Sequence, residues 1–225
     1  MPSEAYRELI EALEEVDDLE SVGRRSQRRL TTGQARAVGR SGVVLLSSHW
    51  ERFLRAMHAE AVDFLNGHAV DLSKLPLTVW TTDLNYRINS LADMQPSNRS
   101  EQLCAFFEEY SWRWGFGPRG VIDAEVSLQW MKAPDPKRVT RLFKMWGVPQ
   151  IFKRITRAEN TRKDLYLNIQ TLVEKRNNIA HGDASVEASR SDVRRYARAV
   201  KLFAERSDRV LRRRIESAYP GFAPW

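Results

Sequence analysis

Residues 161–182, TRKDLYLNIQTLVEKRNNIAHG, read as one amphipathic helix followed by its stop. Leu165, Ile169 and Leu172 recur at intervals of three and four, which places them on one face of a helix from Thr161 to Ile179. Arg176 continues that apolar line. A guanidinium on a packed stripe needs a partner or a wet cleft, because burying it unpaired carries a large desolvation penalty. Asn177 and His181 are four apart and share a neighbouring face. In an ideal helix Arg176 and His181 stand roughly 140° apart and about 7.5 Å along the axis. The two side chains therefore meet best through a bent helix end, the long reach of arginine, or a second subunit. Gly182 supplies the stop.

An arginine, the amides Asn177 and Asn178, and a histidine at a helix–turn junction form a set that can bind a phosphate and move a proton. The segment resembles the Arg-x4-His signature of HEPN ribonucleases, with Arg176 and His181 at the two defining positions. The fuller run Arg176-Asn177-Asn178-Ile179-Ala180-His181-Gly182 is similar to bacterial HEPN domains of the RiboL-PSP or MAE type. The resemblance covers residues 38–66 and 160–217, with a less recognisable elaboration between them. It implies an all-α, HEPN-like helical bundle, a homodimer, and service as a toxin or antiviral ribonuclease with an antitoxin or defence-system partner. It also implies that Arg176 and His181 are catalytic and that the ribose 2′-OH is the nucleophile, giving a 2′,3′-cyclic phosphate and a 5′-hydroxyl.

The chain has 225 residues and 42% hydrophobic content, enough for a sizeable core and most simply one elaborated domain. Seven tryptophans, nine phenylalanines and six tyrosines supply the packing material. The lone Cys104 excludes an intramolecular disulfide, which fits a reducing compartment. No cationic leader with a long apolar run opens the sequence, and no apolar stretch reaches the length of a membrane span. The expectation is a soluble cytoplasmic protein without a membrane partner.

The net charge of +7 is unevenly spread. Residues 1–20 hold eight acids against Arg7, whereas residues 21–40 hold Arg24, Arg25, Arg28, Arg29, Arg36 and Arg40 and no acid. A second basic concentration runs from Arg190 through Arg194, Arg195, Arg198 and Lys201 to Arg212, Arg213 and Arg214. Such clusters attract RNA or another polyanion. The alternative is that they solvate helices and pair with acids such as Asp192, Glu205 and Asp208.

A short helix is predicted from Ser3 to Glu20, capped by Ser3 and striped by Tyr6, Leu9, Ile10 and Leu13. Thr31-Thr32-Gly33 marks a boundary or cap before a longer helix. Its apolar face comprises Val43, Leu46, Trp50, Phe53, Leu54, Met57, Ala61, Phe64 and Leu65, and Asn66-Gly67 ends it. On its polar side Ser48 and Glu51 are assigned as cleft support, against the alternative of a solvated face with a Glu51–Arg55 pair. His49 and His58 read as surface or packed structural histidines. Farther on, Leu84, Ile88 and Leu91 mark a helix edge, Ser100 caps a segment containing Leu103, Phe106, Phe107 and Tyr110, and Trp112 to Pro118 turns the chain. Asp135-Pro136 starts a short helix before Gly147. Ser191 caps a final helix with Val193, Tyr196, Ala197, Val200, Phe203, Ala204, Val210, Leu211 and Ile215 inward, ended by Pro220-Gly221 with Phe222 and Trp225 as a tail anchor.

Four separated histidines and one cysteine lack a zinc arrangement, and Gly33, Gly39 and Gly42 make no phosphate loop. The expected organisation is an N-terminal helical extension (1–37), a HEPN-like domain (38–217) with a helical, aromatic-rich insertion at about 68–160, and a C-terminal tail (218–225). The expected activity is metal-independent, cofactor-free cleavage of single-stranded or looped RNA. The alternative is a noncatalytic HEPN-like RNA-binding or toxin-regulatory module.

Overall fold

The computed structural model describes residues 1–25, 30–68, 70–115 and 120–225, and among these every regular element is a helix. The α-helices are, in order, α1 (Glu4–Arg25), α2 (Thr32–Gly67), α3 (Leu77–Ala92), α4 (Pro96–Tyr110), α5 (Ala124–Ser127), α6 (Pro136–Met145), α7 (Ile151–Ile155), α8 (Glu159–Ala180) and α9 (Arg190–Ala218), with short 3-10 turns at Leu72–Lys74 and Ser111–Trp114. The all-α bundle is the one that the resemblance implies, built from the helices that the periodicity predicts.

Helix α2 begins where its capping chemistry puts it. The Thr31 hydroxyl accepts from the Gln34 N–H at 3.3 Å, and the Gln34 side chain accepts from the Thr31 N–H at 2.9 Å. This reciprocal pair satisfies two amides that a helix start would otherwise leave bare. All nine predicted face residues of α2 are buried. Helix α1 runs five residues past its predicted end, and its Ala5, Leu9, Leu13 and Val16 join the same core. Its start is held from outside as well as by Ser3. The Glu60 carboxylate, from α2, accepts from the N–H groups of Glu4 and Ala5, and the Ser3 N–H donates to Asp208 of α9 at 3.3 Å. A carboxylate there also complements the positive end of the helix dipole.

Phe203 of α9 is the ring on which the core closes. Trp50, Phe143 and Phe152, from α2, α6 and α7, approach it with centroids 5.3, 6.1 and 5.2 Å away. Each fully buried side chain of this size contributes roughly 1.5–3 kcal/mol. Among the predicted inward residues of α9, Ala197 and Val210 are only partly buried and the rest are buried. Two caps differ from expectation. Ser189, not Ser191, starts α9, because Asp192 lies three residues beyond it and completes a capping box at 3.1 Å in both directions. Likewise Ser100 lies inside α4, which starts at Pro96, where a missing N–H and a fixed φ suit the first helical position.

Between α2 and α8 the chain builds a second layer. Helices α3 and α4 pack on each other through a small separate core of Leu84, Phe106 and Tyr110, with Leu91 against it and Ile88 left exposed. The chain then turns at Ser111–Trp114 and Gly115, while Phe116, Gly117 and Pro118 of the predicted turn lie outside the described residues. Asp135 caps α6, as read, accepting from the Arg138 N–H at 2.8 Å. His58 ties this layer to α2. The Trp146 indole donates to its Nδ1 at 3.1 Å, so the ring proton sits on Nε2 and is donated to Ser127 Oγ at 2.6 Å. Of the two histidines on α2, His58 is the packed one and His49 lies half-buried, 3.2 Å from Glu15.

The start of α2 presses directly on the segment joining α8 to α9. A Cβ on Gly39 would stand 1.9 Å from the Ala188 carbonyl oxygen, and one on Gly42 would sit 3.2 Å from the Val193 methyls. Inside a helix, Gly→Ala ordinarily stabilises by roughly 0.5–1 kcal/mol. Here the sign should reverse: Gly39→Ala is expected to destabilise the protein by about 1–3 kcal/mol as the connector is pushed off. Urea unfolding compares the two proteins, and an alanine variant as stable as the parent would refute this contact.

Candidate active site

Helix α8 buries Leu165, Ile169, Leu172 and Val173, and the line through them reaches Arg176, which is half-buried. The helix ends in a Schellman arrangement around Gly182, whose φ of +84° only glycine adopts without strain. The Gly182 N–H donates to the Ile179 carbonyl at 3.1 Å and the Asp183 N–H to the Asn178 carbonyl at 3.0 Å. His181 is the last residue before this reversal, with φ −82° and ψ 6°, and its N–H donates to the Asn177 carbonyl at 2.9 Å.

Arg176 Nη1 donates to Asn177 Oδ1 at 3.2 Å, and among the described residues no carboxylate pairs with the guanidinium. Asn177 is half-buried, whereas Asn178 and His181 are exposed. The end of α8 thus presents a braced cation with hydrogen-bonding capacity to spare and an open imidazole one turn further on.

The turn after His181 is held by groups that sequence reasoning had counted only as charge. Arg40 donates to the Asp183 and Val186 carbonyls at 2.7 and 3.2 Å, and Arg36 pairs with Glu187 at 3.0 Å. Lys175 donates to the Glu187 carbonyl at 2.7 Å and pairs with Asp192 at 3.1 Å. Burial works against ionisation of Asp192, but bonds from Ser189 and Lys175 hold its carboxyl below the ordinary range. Asp183 caps the turn itself: the Ser185 hydroxyl and N–H donate to it at 2.6 and 2.8 Å and lower its pKa. The available signal for this clamp was Arg36 and Arg40, four apart at the start of α2, on the same face.

Ser48 and Glu51 line a different hollow, of about 870 Å³, between α2 and residues 123–132. Glu51 accepts from Arg55 at 3.2 Å and from the Ala133 N–H at 3.1 Å, and the Ser48 hydroxyl donates to the Val44 carbonyl at 3.0 Å. Neither shares a hydrogen bond, ion pair or cavity wall with Arg176 or His181 among the described residues. Much of the basic surface of α9 is also engaged. Arg195 pairs with Asp192 at 2.7 Å and Arg212 with Glu216 at 2.7 Å, while Arg206 and Arg214 donate to the carbonyls of Ile155 and Trp146 at 3.0 and 3.2 Å. Arg28 and Arg29 of the first basic cluster lie outside the described residues. No group of three or more His, Cys, Asp or Glu side chains converges, and no helix is long and apolar enough to cross a membrane, among the described residues.

The described helices form an all-α bundle of HEPN-like architecture, with Arg176 and His181 at the capped end of its long penultimate helix. The chain belongs to the RiboL-PSP-HEPN family, whose model matches residues 6–212, a span that includes most of α1 and the middle layer. No curated protein and no solved structure gives a match. Family membership places the protein in the HEPN superfamily, many of whose members are ribonucleases acting on RNA.

Proposed function

We propose that the protein is a metal-independent endoribonuclease that cleaves single-stranded or looped RNA and serves in toxin or antiviral defence. The observation that carries this reading is Arg176, half-buried at the end of the α8 core stripe, held by Asn177 and unpaired by any described carboxylate, with an exposed His181 five residues further along the same helix end. A developing phosphoryl charge is the partner that such a guanidinium lacks.

In this mechanism the 2′-oxygen attacks the adjacent phosphorus and the bond from phosphorus to the 5′-oxygen breaks. The 2′-proton leaves to a base, and the departing oxygen takes a proton from an acid. His181 performs one of these transfers, since one nitrogen of an imidazole can donate a proton and the other accept one. Arg176 binds the non-bridging oxygens, and Asn177 fixes the direction of the guanidinium. In a homodimer, two Arg176/His181 sets converging near the twofold axis would form one composite cleft. Unpaired RNA enters such a recess more readily than a regular duplex.

Purified protein incubated with single-stranded, looped and duplex RNA, with and without chelator, tests the proposal. Cleavage of the first two, undiminished by chelator and leaving cyclic phosphate and 5′-hydroxyl ends, is expected. Strict metal dependence would refute the mechanism, and binding without cleavage would make the protein a noncatalytic RNA-binding or toxin-regulatory module.

A further inference from the structure

A hollow of about 460 Å³ opens where α7 meets the first turns of α8, away from Arg176 and His181. Its floor is aromatic. Phe152 is buried and Tyr166 is 37% exposed, with ring centroids 5.4 Å apart and planes inclined at 57°. Its walls also include Lys153, Arg162 and Lys163. Lys163 pairs with Glu159 at 2.8 Å on the open surface, where such a pair is weak. Neither Lys153 nor Arg162 has an acidic partner among the described residues. The surrounding stretch, residues 150–164, carries Lys153, Arg154, Arg157, Arg162 and Lys163 against Glu159 and Asp164 alone.

The hollow is aligned with His181 at the far end of the same helix. At 3.6 residues per turn, Lys163 and His181 fall on one line of α8 about 27 Å apart, and Tyr166 lies within about 60° of that line, about 22 Å from His181.

We propose that this hollow is a second RNA-binding site, which stacks one unpaired base on Tyr166 and holds the flanking phosphates with Lys153, Arg162 and Lys163. The site presupposes the RNA reading given above and adds a direction for the strand, along α8 from the Arg176/His181 end. At the stacked spacing of about 3.4 Å per nucleotide, the separation from Tyr166 to His181 takes roughly six nucleotides, and fewer when the strand is extended. A ring face combined with cations selects single strands with little regard to sequence, because every unpaired base offers a π-face and a duplex base offers none.

The test uses a fluorescent 2′-O-methyl oligouridine of about twelve nucleotides, long enough to span both sites and unable to undergo 2′-OH attack. Fluorescence anisotropy then reads binding whether or not the protein cleaves RNA. Tyr166→Ala is expected to weaken binding about tenfold, as the loss of one stacked base does, while Tyr166→Phe stays within about twofold of the parent. Lys153→Gln, an exposed change that leaves the floor intact, should lower the slope of log affinity against log salt by about 0.7, the share of one phosphate contact on a single strand. If Tyr166→Ala and Lys153→Gln both bind like the parent while ordinary RNA is still cut, the second site is wrong and the Arg176/His181 reading stands. If the parent protein binds no RNA at all, both fall.

Discussion

His181→Ala is expected to slow RNA cleavage about 10²–10⁴-fold, the usual contribution of a positioned general acid or base. The fold should be unaffected. The His181 side chain is exposed, its N–H bond to Asn177 belongs to the backbone, and its φ of −82° suits alanine. Arg176→Ala should cost about 10²–10³-fold through lost stabilisation of the phosphoryl charge. The double variant should be little worse than the weaker single one, because groups that act as a unit are far from additive. Cleavage rates, sedimentation and binding of the uncleavable oligonucleotide, measured together, separate chemistry from assembly and affinity. Full activity in either folded variant would remove that residue from the mechanism.

A second large effect concerns acid. Burial pushes the His58 imidazole down to about 3, from an ordinary value of 6.5. Below pH 6.5 the unfolded chain therefore takes up a proton that the folded protein refuses until pH falls to about 3. This group's contribution is complete above pH 6.5 and is lost as pH falls through that window, at about 1.4 kcal/mol per pH unit and roughly 5 kcal/mol in total. Glutamine in its place keeps an acceptor for the Trp146 indole and a donor for Ser127, but does not titrate. We expect His58→Gln to be less stable than the parent at neutral pH by about 1 kcal/mol. That deficit should shrink and then reverse as pH approaches about 5. Urea unfolding across this range decides the matter, and parallel stability profiles would show that His58 does not govern the acid limb.

The long helices were legible because their chemistry is local. The nine-residue stripe of α2, the Leu165–Ile169–Leu172 line of α8 and the Asp135-Pro136 start of α6 follow from spacing and capping alone. The Ser191 and Ser100 caps went astray where two local signals competed. Ser189 wins because Asp192 answers it three residues on, and Pro96 wins because proline sets the first turn. At the candidate site, the placement of Arg176, Asn177 and His181 at one helix end could be read, as could the stop at Gly182. The clamp of Arg36 and Arg40 on residues 183–187 had only the four-residue spacing of two arginines as its signal, and that spacing does not say which distant carbonyls they meet. The bonds of Ser48 and Glu51 were hidden for the same reason: the polar side of an amphipathic helix faces either solvent or a later insertion, and periodicity does not distinguish them.

The closure of the core on Phe203, together with the bond from Ser3 to Asp208, gives synthesis a definite order. Helices α1 and α2 leave the ribosome long before α9, the element against which Trp50 packs edge to face and on which the first turn of α1 is fastened. At about 5–20 residues per second, the interval between α2 and α9 lasts on the order of six to thirty seconds. Throughout it, the apolar face of α2 lacks its final wall and the start of α1 lacks Asp208. The turn bearing His181 likewise emerges before Asp192 and Ser189 can brace it. A nascent chain therefore carries the Arg176/His181 pair while the turn beyond it has only the α2 arginines to hold it, and on the function proposed above RNA cleavage waits for the bracing that α9 adds through Asp192.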